Sequence, residues 1–408
     1  MDIFKLGFRN IGRNKRRTII NTLTIGAAVL AIILFDIVIE GQWNDVIGNY
    51  VRMGVGHVKI HKKGYDKESE RFPLNILIGN PSKLSKRISN VNNIEEIYPR
   101  LIAGGLLSYK GKETPVVING VNLEKEKGIE LITEENVNGK IPEKGEYRIL
   151  IGKELVKLLS LNLGDIVFLY SQTAYETHNV IDLEISGIYS IGFSDYEKTN
   201  VFIPIDILQE FLGTSSVSEM TIMLNEITSV ESTKDTIENK LADFDTEVFP
   251  YQHYIPEVQN ISSLQRGALV YIRFVLLILA LFGIINVMMI SVWERKREIG
   301  TMRAIGYSKS QITRIFVYEG LWTGIFGSLL GCLVAFGAGI FLTNVGIPIP
   351  KGSLTGFNIP MSTHIYGKML PQFFIRAFFL GTMLTIIATI PSSIRATFLT
   401  IVNALREY

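Results

Sequence analysis

The sequence predicts an α-helical membrane protein with four transmembrane helices and a large α+β extracytoplasmic domain inserted between the first and second spans. Apolar residues are concentrated in four runs, each as long as the roughly 20 helical residues that cross a bilayer core. The chain between the first two runs has ordinary soluble composition, with strand-like and helix-like patterns in alternation. The first run is longer than a secretory signal and lacks a small-x-small cleavage site, so we interpret it as a retained span.

The distribution of charge predicts how these spans are oriented. Residues 42–266 hold about 23 Lys and Arg against about 32 Asp and Glu, whereas the rest of the chain holds about 18 against about 7. The basic residues crowd the ends of the apolar runs, at residues 5–17, 295–314 and 395–406. Lys and Arg are enriched in cytoplasmic segments. We therefore expect a bacterial inner-membrane protein with both termini in the cytoplasm and the acidic domain on the outer side.

Helical periodicity continues beyond the first span to about Met53 and resumes at Pro256 before the second span. Each of these spans is thus predicted to extend into a helical stalk, which would transmit force better than a flexible linker. The predicted segments are a basic amphipathic segment (1–17), the first span (18–41), the outer domain with its stalks (42–266), the second span (267–292), a cytoplasmic helix (293–314), the third span (315–342), a short outer loop (343–372), the fourth span (373–394) and a cytoplasmic tail (395–408).

The outer domain shows no pattern that is typical of an enzyme. It has no nucleophile–base pairing, no metal-ligand spacing and no Gly-rich phosphate loop, so we interpret it as a binding or transmission module. His57 and His61 lie in a predicted strand, on one face and about 13 Å apart. No third ligand is near them, so we do not predict a metal site. Helix patterns are expected at 81–88, 152–159, 205–211 and 229–244.

Among the charged residues inside the predicted spans, four are the most informative. Asp36 lies late in a span that runs outward, and Arg273 and Arg376 lie early in spans that run inward. The three are thus expected at one depth, where Asp36 pairs with one arginine and latches the spans, or where each charge snorkels to the interface. Glu319, one turn into the third span, is expected to snorkel towards the cytoplasmic Lys and Arg.

Glycines at helical spacing mark the third span. Gly320, Gly324, Gly327 and Gly331 form small-xxx-small pairs that allow helix backbones to approach closely. Two interpretations stay open, which are packing within one bundle and packing between subunits.

The stretch from Ser291 to Gly306 lies between the second and third spans. It combines charges of both signs with apolar residues at helical spacing, namely Ile299, Met302 and Ile305. A merely positive loop needs neither the glutamates nor the apolar stripe. We therefore predict a short amphipathic helix on which a soluble partner docks.

These residues also resemble a known family. ERKREIGTMRAIG (Glu294–Gly306) resembles the signature of the FtsX-like, MacB-type permeases of ABC transporters. FRNIGRNKRRT (8–18), GVGHVKIHKKGY (54–65) and YEGLWTGIFGSLLG (318–331) resemble further stretches of that family. By this resemblance, residues 42–266 correspond to the MacB-like periplasmic core domain and residues 267–408 to the FtsX-like permease domain.

The resemblance implies a permease that is not itself an enzyme. No G-x-x-x-x-G-K-[ST] motif occurs in the sequence, so a separate ABC ATPase subunit is expected to bind ATP and Mg, with no cofactor bound directly. A second copy (homodimer) or a paralogous permease (heterodimer) is expected as well. Glu298 and Arg303 would offer charges to the ATPase, and Ile299, Met302 and Ile305 would fill its groove. The family's coupling-helix positions fall on Glu294, Arg297, Glu298, Ile299, Gly300, Met302, Arg303, Ala304 and Gly306.

Within this family three kinds of work are known. The resemblance favours lipoprotein release of the LolC/LolE type, driven by mechanotransmission, with a lipoprotein or another amphiphile as cargo and a periplasmic acceptor protein as a further partner. The alternatives are export of peptides, toxins or drugs, as in MacB, and signalling to cell-wall hydrolases, as in FtsX. MacB proteins carry an ATPase ahead of the first span, which this sequence does not contain, and FtsX outer domains are smaller. A membrane receptor without a motor is the alternative outside the family, and no nucleic-acid partner is expected.

Overall fold

The computed structural model describes residues 15–123, 132–133, 135–226, 229–348 and 364–398. Most of the predicted basic segment (1–17) and of the tail (395–408), and half of the outer loop (343–372), lie outside these residues. The described chain divides into two compact units. The helical unit holds residues 15–45, 261–348 and 364–398, and the α+β unit holds the described residues of 46–260.

The elements are numbered here in chain order. The helices are α1 (Lys15–Tyr50), α2 (Tyr65–Glu68), α3 (Pro81–Ile88), α4 (Lys153–Leu159), α5 (Ser194–Thr199), α6 (Ile205–Leu212), α7 (Val230–Lys240), α8 (Pro256–Glu294), α9 (Lys296–Ala304), α10 (Lys309–Asn344) and α11 (Pro371–Phe398). The strands are β1 (Val58–Lys62), β2 (Ile94–Tyr109), β3 (Lys112–Val121), β4 (Val137–Gly139), β5 (Arg148–Gly152), β6 (Ile166–Gln172), β7 (His178–Tyr189), β8 (Asn200–Pro204), β9 (Glu219–Leu224), β10 (Thr246–Pro250), β11 (Ile347–Pro348) and β12 (His364–Ile365).

Within the described part of the chain, four helices are long and apolar enough to cross a membrane, namely α1, α8, α10 and α11. This confirms the predicted fold class of four transmembrane helices with an α+β domain between the first two. α1 passes without interruption to Tyr50 and is followed by a π-helical turn, Val51–Val55. Gly54 lies inside this turn with φ of 103°, a conformation that glycine adopts without steric cost. α8 begins at Pro256, whose missing N–H is no loss in the first turn of a helix.

Glycines decide how α10 packs in the helical unit. A Cβ on any of the four predicted glycines would lie within 3.0 Å of an atom of α1 or α11. These four glycines therefore pack within one chain, and the alternative of a subunit interface does not apply to them. The nearest neighbours are Thr389 for Gly320, Thr385 for Gly324, Ile25 for Gly327 and the carbonyl of Gly26 for Gly331.

The α+β unit is built on one sheet, and the long strand β2 joins its two parts. Residues 94–100 of β2 pair antiparallel with β9, and residues 101–109 pair antiparallel with β3. The strand order in the described chain is β10-β1-β9-β2-β3-β8-β5-β7-β4, with β6 paired to β2 and β7. One core lies under β2, β3, β5, β6 and β7 and is covered by α4 and α6. A second core lies between β1, β9 and β10 and the helices α3 and α7.

The predicted helices of this unit are present, with one boundary wrong. The helix expected at 229–244 ends at Lys240, because the chain turns at residues 241–245 to enter β10. The short helices α2 and α5 were not predicted. His57 and His61 are both buried, but His57 lies just before β1 and only His61 lies in the strand; each is held by the backbone of β9 or its lead-in. His57 Nδ1 accepts from the N–H of Leu224, and His61 Nδ1 lies 3.2 Å from the carbonyl oxygen of Ser218.

Candidate functional site

The candidate site is α9, the predicted docking helix, which lies between two membrane-length helices. α8 ends at Glu294, and Arg295 leaves the helical conformation with φ of −101° and ψ of 13°. α10 starts with a capping box, in which Ser308 Oγ accepts from the N–H of Gln311 and Gln311 Oε1 accepts from the N–H of Ser308. Because both flanking helices are anchored in the bundle, α9 is held at two ends rather than hanging as a loop.

Gly306 ends α9 in the way the sequence indicates. Its φ is 106°, and its N–H donates to the carbonyl of Arg303 at 3.1 Å. The N–H of Tyr307 donates to the carbonyl of Met302 at 3.0 Å. These two bonds are those of a Schellman motif, which satisfies carbonyls that would otherwise be unpaired at a helix end. The chain can therefore reverse within three residues and enter α10.

The apolar side of α9 faces its own chain, which corrects one prediction. Ile299 is only 1% exposed and packs with Val292 of α8 and with Ile312 and Phe316 of α10. Met302 packs against the same cluster. Residues three apart share a helix face, and the reversal after α9 places the first turns of α10 over that face. Ile299 and Met302 thus fix the docking helix and are not available to fill a groove on a partner.

The opposite side of α9 is open. Ile305 is 74% exposed, so it alone of the three predicted apolar residues offers its side chain outward. Arg303 is half-buried, whereas Gly300 is buried with Ile299. The open face carries charges of both signs beside apolar groups. Its exposed members are Trp293, Glu294, Arg297, Glu298, Thr301, Ala304, Ile305 and Gly306.

A buried ion pair supports this helix from beneath. Arg295 Nη1 lies 3.1 Å from Glu319 Oε2, and the two side chains are 6% and 2% exposed. Glu319 is expected from the sequence to reach towards the cytoplasmic Lys and Arg, and it does meet one of them, Arg295, but the pair is buried inside the bundle and does not lie at the membrane interface. The guanidinium of Arg295 also lies 3.9 Å from Glu298. The pair therefore connects the first turn of α9 to the third turn of α10.

A second set of charges lies in the helical unit near the outer ends of the predicted spans. Asp36 is 1% exposed at its side chain and pairs with both Arg273 and Arg376, not with one of them. Arg273 Nη2 reaches Asp36 Oδ1, and Arg376 Nη2 lies 2.6 Å from Asp36 Oδ2. One carboxylate on α1 thus connects α8 and α11, and each carboxylate oxygen takes one guanidinium.

Two family models match the chain. The model of the MacB-like periplasmic core domain matches residues 18–240, which is more than half of the 408 residues. The chain belongs to the MacB-type, FtsX-like permease family. The model of the FtsX-like permease C-terminal region matches residues 271–401 and so includes α9 and the whole of α10.

The relatives of this permease include proteins that are named for different functions. A macrolide export ATP-binding/permease protein MacB of Acinetobacter baylyi is 21% identical over 84% of this chain and 52% of its own length. A lipoprotein-releasing system transmembrane protein LolC of Xylella fastidiosa is 23% identical over 57% of each chain. The uncharacterized ABC transporter permease YknZ of Bacillus subtilis is 20% identical over 85% of this chain and 88% of its own. The chain thus spans about half the length of the MacB proteins it matches.

Two residues of the predicted docking segment, Trp293 and Arg295, have positions in the structure that the sequence reasoning missed. Trp293 is 64% exposed at the end of α8, and Lys296 Nζ lies 5.8 Å from the centre of its ring. An exposed tryptophan beside charged residues is typical of interface anchors. Arg295 was counted only as one of several basic residues. Glu319, one turn into the third span, was the available signal that one of these basic residues has a buried partner.

Proposed function

We propose that this chain is the permease subunit of an ABC transporter and that its α9 receives a separate ATPase. The observation that carries the proposal is the two-sided construction of α9. Its inner side is fixed by Ile299 and by the Arg295–Glu319 pair, and its outer side offers Trp293, Glu298 and Ile305. A helix that is rigidly mounted and openly charged can pass the movement of a bound subunit to the spans on either side.

The movement would travel along α8 and α1. α8 runs from Pro256 to Glu294 without a break, so about 39 residues or roughly 58 Å of helix link the docking segment to the α+β unit in sequence. Helices of this kind transmit force in both directions, unlike flexible Gly/Ser linkers. The ATPase subunit would lie in the cytoplasm with both termini of this chain, and the α+β unit would do its work on the outer side.

For the cargo we propose lipoproteins that are released from the outer leaflet of the inner membrane. The relation to LolC and the presence of a large outer domain support this choice. The permease would act as a pair, either of two copies or with a paralogous permease, and a periplasmic acceptor would receive the cargo. Export is the second candidate, since the MacB proteins align with 84% and 85% of this chain against 57% for LolC.

The docking role is tested by Glu298→Arg. Glu298 is exposed on the open face of α9, so the change reverses one charge at the proposed ATPase contact; it removes the 3.9 Å contact of Glu298 with Arg295 but leaves Glu319, the nearer partner of Arg295, in place. We expect the variant to insert and fold normally but to lose most of the ATP-driven release of cargo from membranes. Glu113→Arg, the same change at an exposed position of β3, is the matched control. Normal release by the Glu298 variant would show that α9 is not the docking site.

The cargo is tested by purifying the chain with its partners in mild detergent. Lipid-anchored proteins that copurify and leave when ATP is added would support lipoprotein release. A copurifying cell-wall hydrolase, or a soluble peptide that leaves on ATP addition, would contradict it in favour of signalling or export. Absence of any ATPase from the preparation would instead count for a receptor without a motor.

A further inference from the structure

The cluster formed by Asp36, Arg273 and Arg376 contains more positive than negative charge. Asp36 supplies one carboxylate, and two guanidiniums share it. The side chain of Arg376 is 48% exposed, so half of its surface is left for another ligand. Arg273 Nε is buried and donates no hydrogen bond to any described residue. The cluster therefore has unused N–H donors and a net positive charge.

Neither α10 nor α11 supplies a carboxylate to balance this charge, because Glu319, the acidic residue of α10, pairs with Arg295 and the sequence of α11 has no Asp or Glu. No Asp or Glu occurs anywhere between Gly320 and Arg406, which includes the residues outside the described chain. Glu40, the next acid along α1, lies 3.6 Å from Arg266. Lys368, whose backbone N–H bonds to the carbonyl of Ile37, adds a further cation near the cluster and donates to the neutral amide of Asn44.

The position of the cluster in the span shows where a counter-ion would come from. Asp36 lies five residues before Gly41, the predicted end of the first span, and so about 7.5 Å inside that end. Long arginine side chains at this depth reach the level of the lipid headgroups. Apolar side chains beside the arginines are exposed, with Phe274 at 61% and Phe379 at 66%. They can contact acyl chains below the charged groups.

We propose that Arg273 and Arg376 bind the phosphate of a membrane phospholipid. A guanidinium binds a phosphate oxygen through charge-assisted hydrogen bonds, and its planar fork suits two oxygens at once. Asp36 takes one Nη2 from each arginine and so aims the remaining donors. The bound phosphate would neutralise the extra charge, and the lipid would act as a replaceable link between α1, α8 and α11. The proposal does not depend on which cargo the permease releases.

The experiment is native mass spectrometry of the full purified chain in detergent, without ATPase or cargo. Phosphatidylglycerol is titrated against diacylglycerol with the same acyl chains, which lacks the phosphate. We expect phosphatidylglycerol to be retained and diacylglycerol not to be. Arg376→Gln should weaken the retention about tenfold or more, since it removes charge-assisted hydrogen bonds. Arg87→Gln, the same change at an exposed position of α3, is the matched control and should change nothing.

A second variant separates lipid binding from a merely structural role. Asp36→Asn frees both guanidiniums for phosphate, so it should strengthen phosphatidylglycerol retention, whereas a loosened bundle would weaken retention in both variants. Equal retention by wild type and Arg376→Gln would overturn the proposal. If Arg376→Gln also dissociates a permease dimer, the counter-ion of Arg376 is a carboxylate of the second subunit and not a lipid phosphate, which overturns the proposal. Displacement of the lipid by millimolar inorganic phosphate would show a soluble anion site instead. Because ATPase and cargo are absent, a negative result leaves the proposed function untouched.

Discussion

Replacing Glu319 by leucine leaves the guanidinium of Arg295 buried without its carboxylate. The two side chains are 2% and 6% exposed and 3.1 Å apart, so water cannot substitute for the lost partner. Breaking a buried ion pair from one side costs about 3–5 kcal/mol. The reciprocal change, Arg295→Met, should cost a similar amount, because Glu319 then keeps a buried negative charge.

The double variant Arg295→Met with Glu319→Leu gives the opposite result. Replacing both members of a buried pair by apolar residues of similar volume is often neutral or stabilising by about 1–4 kcal/mol. We therefore expect each single variant to unfold at a temperature about 10 °C below that of the wild type, and the double variant to unfold near the wild-type temperature. Because the single variants should lose stability and the double variant should not, the comparison tests whether Arg295 and Glu319 interact beneath α9.

The measurement is thermal unfolding of the purified chain in detergent, followed by tryptophan fluorescence. Trp293 and Trp322 lie within three residues of the two charges and report on this part of the bundle. Arg297→Met, at an exposed position of the same helix, should shift the unfolding free energy by less than about 1 kcal/mol. If the double variant loses as much stability as both single variants together, Arg295 and Glu319 do not interact and the described geometry is wrong.

Two further outcomes follow from packing and from buried titratable groups. Gly331→Leu should lower the free energy of unfolding by about 1–3 kcal/mol, and the thermal midpoint with it, because its Cβ would lie 2.6 Å from the carbonyl oxygen of Gly26. Gly337→Leu, where no atom lies within 4 Å, should change the midpoint little. Equal losses in the two variants would contradict the packing. Burial lowers the pKa of His61, so the stability it contributes is present above pH about 6.5 and is lost as the pH falls through the folded-state pKa. Scanning calorimetry between pH 7.5 and 5 should show a smaller acid loss for His61→Gln, and an unchanged slope would refute this role.

Much of the architecture could be read from composition and periodicity. Four apolar runs of sufficient length, separated by soluble-like sequence, specify membrane helices because no other regular structure satisfies its backbone alone in lipid. The end of α9 was also readable, since only glycine adopts φ of 106° freely and Gly306 stands where the apolar stripe stops. The three charges at Asp36, Arg273 and Arg376 could be placed at one depth by counting residues from the ends of the runs.

The partners of these residues could not be read in this way. A helical period shows that Ile299 and Met302 share a face, but not whether that face meets another protein or the first turns of α10. Counting residues places Asp36, Arg273 and Arg376 at one depth in the membrane, but it does not show that the carboxylate of Asp36 pairs with both arginines. The choice of Arg295 for Glu319, among several basic residues nearby, depends on the break in the helix at Arg295.

Local length, hydrophobicity and spacing suffice to place the spans, the inserted α+β domain and the segment that carries the predicted docking helix. Which side of that helix is open and which is closed depends on tertiary contacts. Tertiary contacts also show that Gly320, Gly324, Gly327 and Gly331 of α10 pack against α1 and α11 of the same chain. The reason is physical: burial and ion pairing are properties of what lies opposite a residue, and the residues opposite are far away in sequence.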